Sequence, residues 1–412
     1  MSDTSGYDEA PEEDIELGVA PEHAEIPSIK REFQRWHHPR KQWVRIQQWC
    51  SASRQLIKEL NLPSGEPFRY LTLPGDELLD IRALSDVCVR ENVKLRFLGF
   101  NSVGPQTPAQ IELNISQNEV RSHAAVDNLS RVLEKRLETI ANGQSQEFRA
   151  AQDLGPFHAI NIDLCDSIAF RDVDDKKGSG LSVLAKLLEL QLATNRPWLL
   201  FITTLAQPDL LSARNQAGFM EAIKANTAVS DEFKTELAGL ISTSTDELDA
   251  RLREAWKQQD PDFLRLFCTG LGKWLLRVLG PTQPSRSLTL LDSCYYRVGS
   301  QGPNMLSLVF RCDTQAQRLV DRDGILQAGA DGTHEGNFSE VELAISLARK
   351  LSASSDLDGL IAQDAALAMK LIGQAGRLMA AARFDAAAYE AWATDELAKF
   401  KAPAAAPATV TA

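Results

Sequence analysis

Residues 68–81 read "FRYLTLPGDELLDI": a β-rich run meets a Pro-Gly pair and passes at once into acids and a helical pattern. A strand running straight into a helix is the repeating unit of an open parallel sheet, and the flanking text extends it. In "DELLDIRALSDVCVREN" (76–92), Leu78, Ile81, Leu84 or Ser85, and Cys88 share one helical stripe. "VKLRFLGFNS" (93–102) is a second strand, and residues 107–143 are helical over most of their length, stopping at Asn142-Gly143. "QEFRAAQDL" (146–154) is weakly strand-like, and "FHAINIDLCDSI" (157–168) is a buried strand ending in acids. A helix over 180–195 leads to "PWLLFITTLA" (197–206), apolar enough to be buried on both faces. The sequence therefore predicts an α/β protein with a Rossmann-like, mostly parallel sheet.

The remaining text fits around that sheet. Pro39 opens a helix over about 39–60. Residues 207–280 are helical throughout and too long for one crossover, so they read as a helical insertion within a domain spanning 31–312. Within that domain, 285–312 carry two strand-like halves around "GSQGPN", a hairpin signal that closes the sheet with an antiparallel pair. Residues 313–402 predict a C-terminal helical region, a bundle or a hairpin. An acidic arm (1–30) and a low-complexity tail (403–412) have too little to bury and are expected to be disordered.

Composition narrows the function. With 44 Lys and Arg against 56 Asp and Glu, the net charge of -12 disfavours a whole-surface grip on nucleic acid. The six cysteines form no C-x-x-C pair, which argues against a metal cluster or disulfide framework and for thiols in a reducing cytoplasm. The arm lacks the features of a targeting signal, and no charge-free apolar run reaches about 18 residues, so a cytoplasmic protein without a membrane span is expected.

Ligands of open parallel sheets bind outside the carboxyl ends of the strands, which nominates the loops after Gly75, Gly99, Asp163 and Thr203. In "NIDLCDS", Asp163 and Asp166 close an apolar strand, and acids there call for a ligand or a partner, such as a helix N-terminus or an arginine like Arg171. "RWHHPRKQWVR" (35–45) gathers Arg40, Lys41 and Arg45 with Trp36 and Trp43. That mixture suits phosphate contact and base stacking by a nucleic acid, or docking of a protein partner; alternatively the tryptophans are core and the cations answer sheet-end carboxylates. His37 and His38 add acid–base capacity near neutral pH. In "DSCYYR" (292–297), alternation sends Asp292, Cys294 and Tyr296 to one face, which core packing explains. No nucleophile elbow, Walker loop or H-E-x-x-H is present.

The order of elements, five mostly parallel strands and a late antiparallel hairpin, resembles the class I S-adenosylmethionine-dependent methyltransferase family over roughly residues 39–312. The resemblance implies S-adenosylmethionine as cofactor and places Pro74, Gly75 and Asp76 in the loop that wraps its methionine part. It puts Asn101 where the family commonly has an acid for the ribose hydroxyls, Asp153 near the adenine, and Asp163 with Asp166 on the catalytic face. This chain departs in having one glycine in that first loop and no Asn/Asp-Pro-Pro-aromatic motif, so transfer to a base or amide nitrogen is not indicated. Two functions follow as expectations: methyl transfer to an acceptor the sequence does not name, or a non-catalytic protein of the same fold that binds a partner or nucleic acid through residues 35–45.

Overall fold

The computed structural model describes residues 29–171, 178–299, 302–314 and 339–401, so the expected arm (except its last two residues) and the tail lie outside the described residues. The protein is α/β, built on a Rossmann-like, mostly parallel sheet of eight strands: β1 (Phe68–Thr72), β2 (Leu95–Phe100), β3 (Arg131–Leu133), β4 (Ala159–Asp163), β5 (Trp198–Leu205), β6 (Arg286–Tyr296), β7 (Met305–Thr314) and β8 (Ser355–Asp356). Their spatial order is β3-β2-β1-β4-β5-β7-β6-β8. β1 to β5 pair in parallel, whereas β7 runs antiparallel to both β5 and β6. Strand order reverses between β1 and β4, where doubly wound sheets bind their ligands.

Period-two alternation builds two apolar layers from these strands. In β5, Trp198, Leu200 and Ile202 face one core while Leu199 and Phe201 face the other. The first core is covered by the helix Gly180–Gln191, by the insertion helices Ala213–Thr227, Asp231–Leu240, Leu248–Ala255 and Pro261–Leu279, and by Glu340–Ser352. The second core lies under the chain from Pro39 to Leu60, the helix Leu79–Arg90, and the hairpin of helices Ala365–Ala381 and Ala386–Lys401. The C-terminal region therefore divides between the two faces.

Within 39–60 the residues Val44–Cys50 form a π-helix, a widened turn uncommon outside functional sites. Gln48 ties this segment to the sheet: the Ser307 hydroxyl of β7 donates to its Oε1 (2.6 Å) and stands 3.3 Å from the Thr203 hydroxyl of β5.

One strand differs from the sequence reading. Residues 146–154 are not a strand but the helix Gln146–Leu154, capped by the Ser145 hydroxyl accepting from the Phe148 N–H, with Phe148, Ala151 and Leu154 turned inward. The third parallel strand is β3, three residues inside the stretch expected to be mostly helical. Its short pairing is pinned by the Val132 N–H donating to Gln117 Oε1 (2.6 Å).

Candidate functional site

At the carboxyl end of the parallel strands, three cavities meet. One of about 410 Å³ lies between the ends of β2 and β4 and is lined by Asn101, Lys135, Arg136, Glu138, Asp163 and Asp166 among others. A smaller one, about 240 Å³, sits over the loop after β1 and is bounded by Trp36, Arg45, Trp49, Gly75, Asp76 and Asp80. The third, about 600 Å³, opens toward the β6–β7 hairpin and the last helix. Asp163 and Cys165 line all three.

The loop after β1 is held by its neighbours. Asn101, at the end of β2, donates from Nδ2 to the Pro74 carbonyl (3.0 Å) and to Asp76 Oδ1 (2.9 Å), and its Oδ1 accepts from the Val103 N–H. A Cβ at Gly99 would stand 3.0 Å from Pro74 Cγ and from Val132 Cγ2, so glycine there lets the loop close against β2. Leu78, just before the helix, has φ +55°, a left-handed conformation uncommon for a non-glycine residue. Gly75 is exposed.

Beneath the loop runs a chain of polar groups. Asp80 accepts from the Thr72 hydroxyl (2.5 Å) and the Tyr70 hydroxyl (3.2 Å), and Asn161 of β4 donates to the Tyr70 oxygen (2.8 Å). Burial raises the pKa of Asp80 and holds Tyr70 well above the usual phenol range.

Lys41, Arg45 and Trp49 recur every fourth residue and arrive on one side of the crevice. Lys41 Nζ donates to Asp163 Oδ1 at 2.5 Å and lies 4.8 Å from the Trp49 ring centre. Arg45 donates to the Trp36 carbonyl (3.1 Å), and Arg40 to the Arg297 carbonyl and Asp358 Oδ1 (2.7 Å). Arg40, Lys41 and Arg45 are each at least nine-tenths buried, so they do not form the exposed basic surface envisaged for a nucleic acid or protein partner. Their cations answer carboxylates and carbonyls instead. The partner of Asp163 is Lys41 rather than Arg171.

His37 and His38 are also buried. His37 Nδ1 accepts from the Gln34 N–H and its Nε2 lies 3.6 Å from Glu77 Oε1, with burial holding its pKa below the ordinary value. His38 Nδ1 accepts from the Arg40 backbone N–H (3.2 Å) and Nε (3.1 Å), and burial lowers its pKa to about 2. Both rings are neutral at physiological pH.

Pro74, Gly75, Asp76, Asn101, Asp163 and Asp166 thus gather around one crevice. Asp153 does not: it is exposed on the helix Gln146–Leu154, at the opposite end of the sheet, because the strand expected to precede it is that helix. The loop after β3 contributes Lys135, Arg136 and Glu138 in its place. Of the six free cysteines, five are buried and Cys165 is exposed. Among the described residues no group of three His, Cys, Asp or Glu side chains could hold a metal, and no helix is long and apolar enough to cross a membrane.

A family model described as PP_RS20740-like matches residues 30–394, which takes in every strand and all of the crevice but Glu396, a residue of the last helix that lines the third cavity. The chain belongs to the PP_RS20740-like family. No curated protein and no solved structure matches it. The matched span of this PP_RS20740-like chain begins at Lys30, which pairs with Phe384 in an isolated parallel bridge, and includes Trp392 of the last helix. Both ends of the family's span therefore reach the elements that wall the crevice.

Proposed function

We propose that the crevice binds S-adenosylmethionine and that the protein is a methyltransferase. The observation that carries this reading is the meeting of three cavities at Asp163, at the reversal of strand order, with a compact loop after β1 on one side. The residues fit such a ligand. The cavity of about 410 Å³ has the size and mixed lining for a nucleoside. In the smaller cavity, Arg45 Nε and Trp49 Nε1 are buried donors with no hydrogen-bonding partner among the described residues. The Arg45 guanidinium would meet a carboxylate in this cavity, and Asp76, Asp80 and Asp163 line it with the acids that an ammonium group would meet. These are the two charged groups of a methionine moiety.

When bound, S-adenosylmethionine supplies an electrophilic methyl group on a sulfonium. The chain's part is placement and exclusion of water: Asp163, anchored by Lys41, sits at the junction of the three cavities, and Trp36 covers the cavity beside it. The departures from the family pattern have local substitutes. Leu78 takes up a left-handed conformation that a second glycine would adopt at less cost, and Asn101 braces the loop instead of offering a carboxylate.

Calorimetric titration with S-adenosylmethionine and S-adenosylhomocysteine tests the reading. Saturable heat from both is expected, weakened by Arg45→Leu. No heat at millimolar ligand would overturn it.

A further inference from the structure

The cavity of about 600 Å³ has no role in holding the nucleoside or amino-acid ends of a cofactor, yet it opens onto the same Asp163. Its walls are unusually aromatic for so polar a neighbourhood. Phe33 and Trp392 lie with ring centres 5.3 Å apart and planes inclined by 32°, and Trp36 and Tyr296 add two further aromatic rings to the lining. Flat, weakly polar surfaces of this kind favour a planar ligand.

The charges in the cavity are unequal in what they have left to give: Arg35 lines it as an exposed cation open to water, and the less exposed charges differ among themselves. Glu396 is engaged by Lys399 at 2.5 Å, and Arg40 by Asp358 and the Arg297 carbonyl. Lys41 spends one of its three N–H donors on Asp163 and has no second hydrogen-bonding partner among the described residues. A buried ammonium with a donor remaining beyond Asp163 and the Trp49 ring is a site for an anionic oxygen.

Most polar groups of the lining are unsuited to taking a proton, and the carboxylate other than Asp163, Glu396, is paired with Lys399 on the last helix. His38 uses Nδ1 to accept from Arg40, so its own proton sits on Nε2, and burial keeps the ring from accepting another. Tyr296 is held in its neutral form and the Cys165 thiol is pushed up, both chiefly by burial. Asp163 is committed to Lys41. A neutral alcohol or amine acceptor would need a base that these groups do not supply.

We infer that this cavity selects a planar aromatic small molecule bearing an anionic oxygen, a carboxylate or an acidic phenolate, held by Lys41 against the aromatic lining of Phe33, Trp36, Tyr296 and Trp392. Under the transferase reading, on which the word acceptor rests, this ligand is the methyl acceptor. Its oxygen lone pair forms the new C–O bond as the C–S bond breaks; that electron pair returns to sulfur, the sulfonium charge and the oxyanion charge disappear together, and no proton is released.

The test compares 2-naphthoate with 2-naphthalenemethanol, the same ring with a neutral oxygen, by calorimetry on the full chain without cofactor. Naphthoate should bind at least about tenfold more tightly, the equivalent of about 1.4 kcal/mol. The double variant Lys41→Gln with Asp163→Asn, which leaves neither charge unpaired, should bring the ratio close to one, and Trp392→Ala should weaken both ligands alike. Equal affinities, tighter binding of the alcohol, or an anion preference that survives the double variant would overturn the inference, as would no heat from either ligand at millimolar concentration. A naphthoate preference that is lost in the double variant supports the selectivity even where S-adenosylhomocysteine gives no heat; that combination removes the transferase reading alone.

Discussion

On the insertion side of the sheet the packing is hydrocarbon through most of its depth, with Phe219 and Phe267 meeting at right angles and Phe263 close by. On the opposite side the chain from Pro39 to Leu60 carries Arg40, Lys41 and Arg45 into the interior, where Glu77 and Arg82 are buried as well. The first layer has its buried cations too, but they are resolved locally: Lys273 pairs with Glu340, and Arg286 gives its guanidinium to the carbonyls of Leu192, Thr194 and Pro284. In the second layer Arg40, Lys41, Arg45 and Glu77 line cavities, while Arg82 is resolved locally by Glu119 and the carbonyls of Glu77 and Ala381. Charge kept out of water without a gain in packing is a cost to stability, and its presence beside open volume marks the second layer as the polar wall of the crevice, while the first layer supplies the apolar wall of the cavity of about 410 Å³ through Phe100, Leu137, Val183 and Leu184.

Substitutions should separate the two layers. Phe267→Ala removes a fully buried ring from the first and should lower unfolding free energy by about 3–5 kcal/mol in urea titrations, with little change in ligand binding. Acid should act through buried histidines. His38 and His158 have folded pKa values lowered to about 2 and about 3 by burial, against an ordinary value of 6.5, so the unfolded chain binds more protons between these limits. Their contribution is present above pH 6.5 and is lost as pH falls through that window, by about 2 kcal/mol for each at pH 5. His158→Gln should therefore reduce the loss between pH 7 and pH 5; an unchanged loss in chemical denaturation would count against a neutral buried ring.

A double-mutant cycle on Lys41→Gln and Asp163→Asn should return a coupling of about 1–2 kcal/mol, between the values for exposed and buried pairs, because the Asp163 side chain is 24% exposed. The smallest effect is expected from Ser230→Ala, which removes the hydroxyl accepting from the Phe233 N–H at the start of Asp231–Leu240, about 1 kcal/mol by thermal melting and without effect on the crevice.

Which parts were legible in the sequence follows from the same contrast. β4 and β5 announce themselves because they are buried on both faces, and the β6–β7 hairpin and the insertion follow from turn chemistry and helical period. β3 was hidden: three residues long, with only Val132 well buried, it gives no periodic signal within helical text, while Phe148, Ala151 and Leu154 at spacing of three read weakly as strand until the Ser145 cap is recognised. That one misplacement carried Asp153 into the expected site and left Lys135, Arg136 and Glu138 out. The acids at the end of β4 and the cations of 35–45 were both visible, and the possibility that cations answered sheet-end carboxylates was open. Only the fold shows that Lys41 answers Asp163. Tyr296 and Trp392 reach the crevice from more than 130 residues away along the chain, a juxtaposition no local pattern encodes.

The central claim is that the carboxyl end of the parallel strands is a cofactor site. Backbone hydrogen exchange with and without S-adenosylhomocysteine tests it most directly. Slower exchange is expected only over residues 73–80, 101–103 and 163–167, with the helices of the insertion unchanged. Protection elsewhere, or none at saturating ligand, would contradict it.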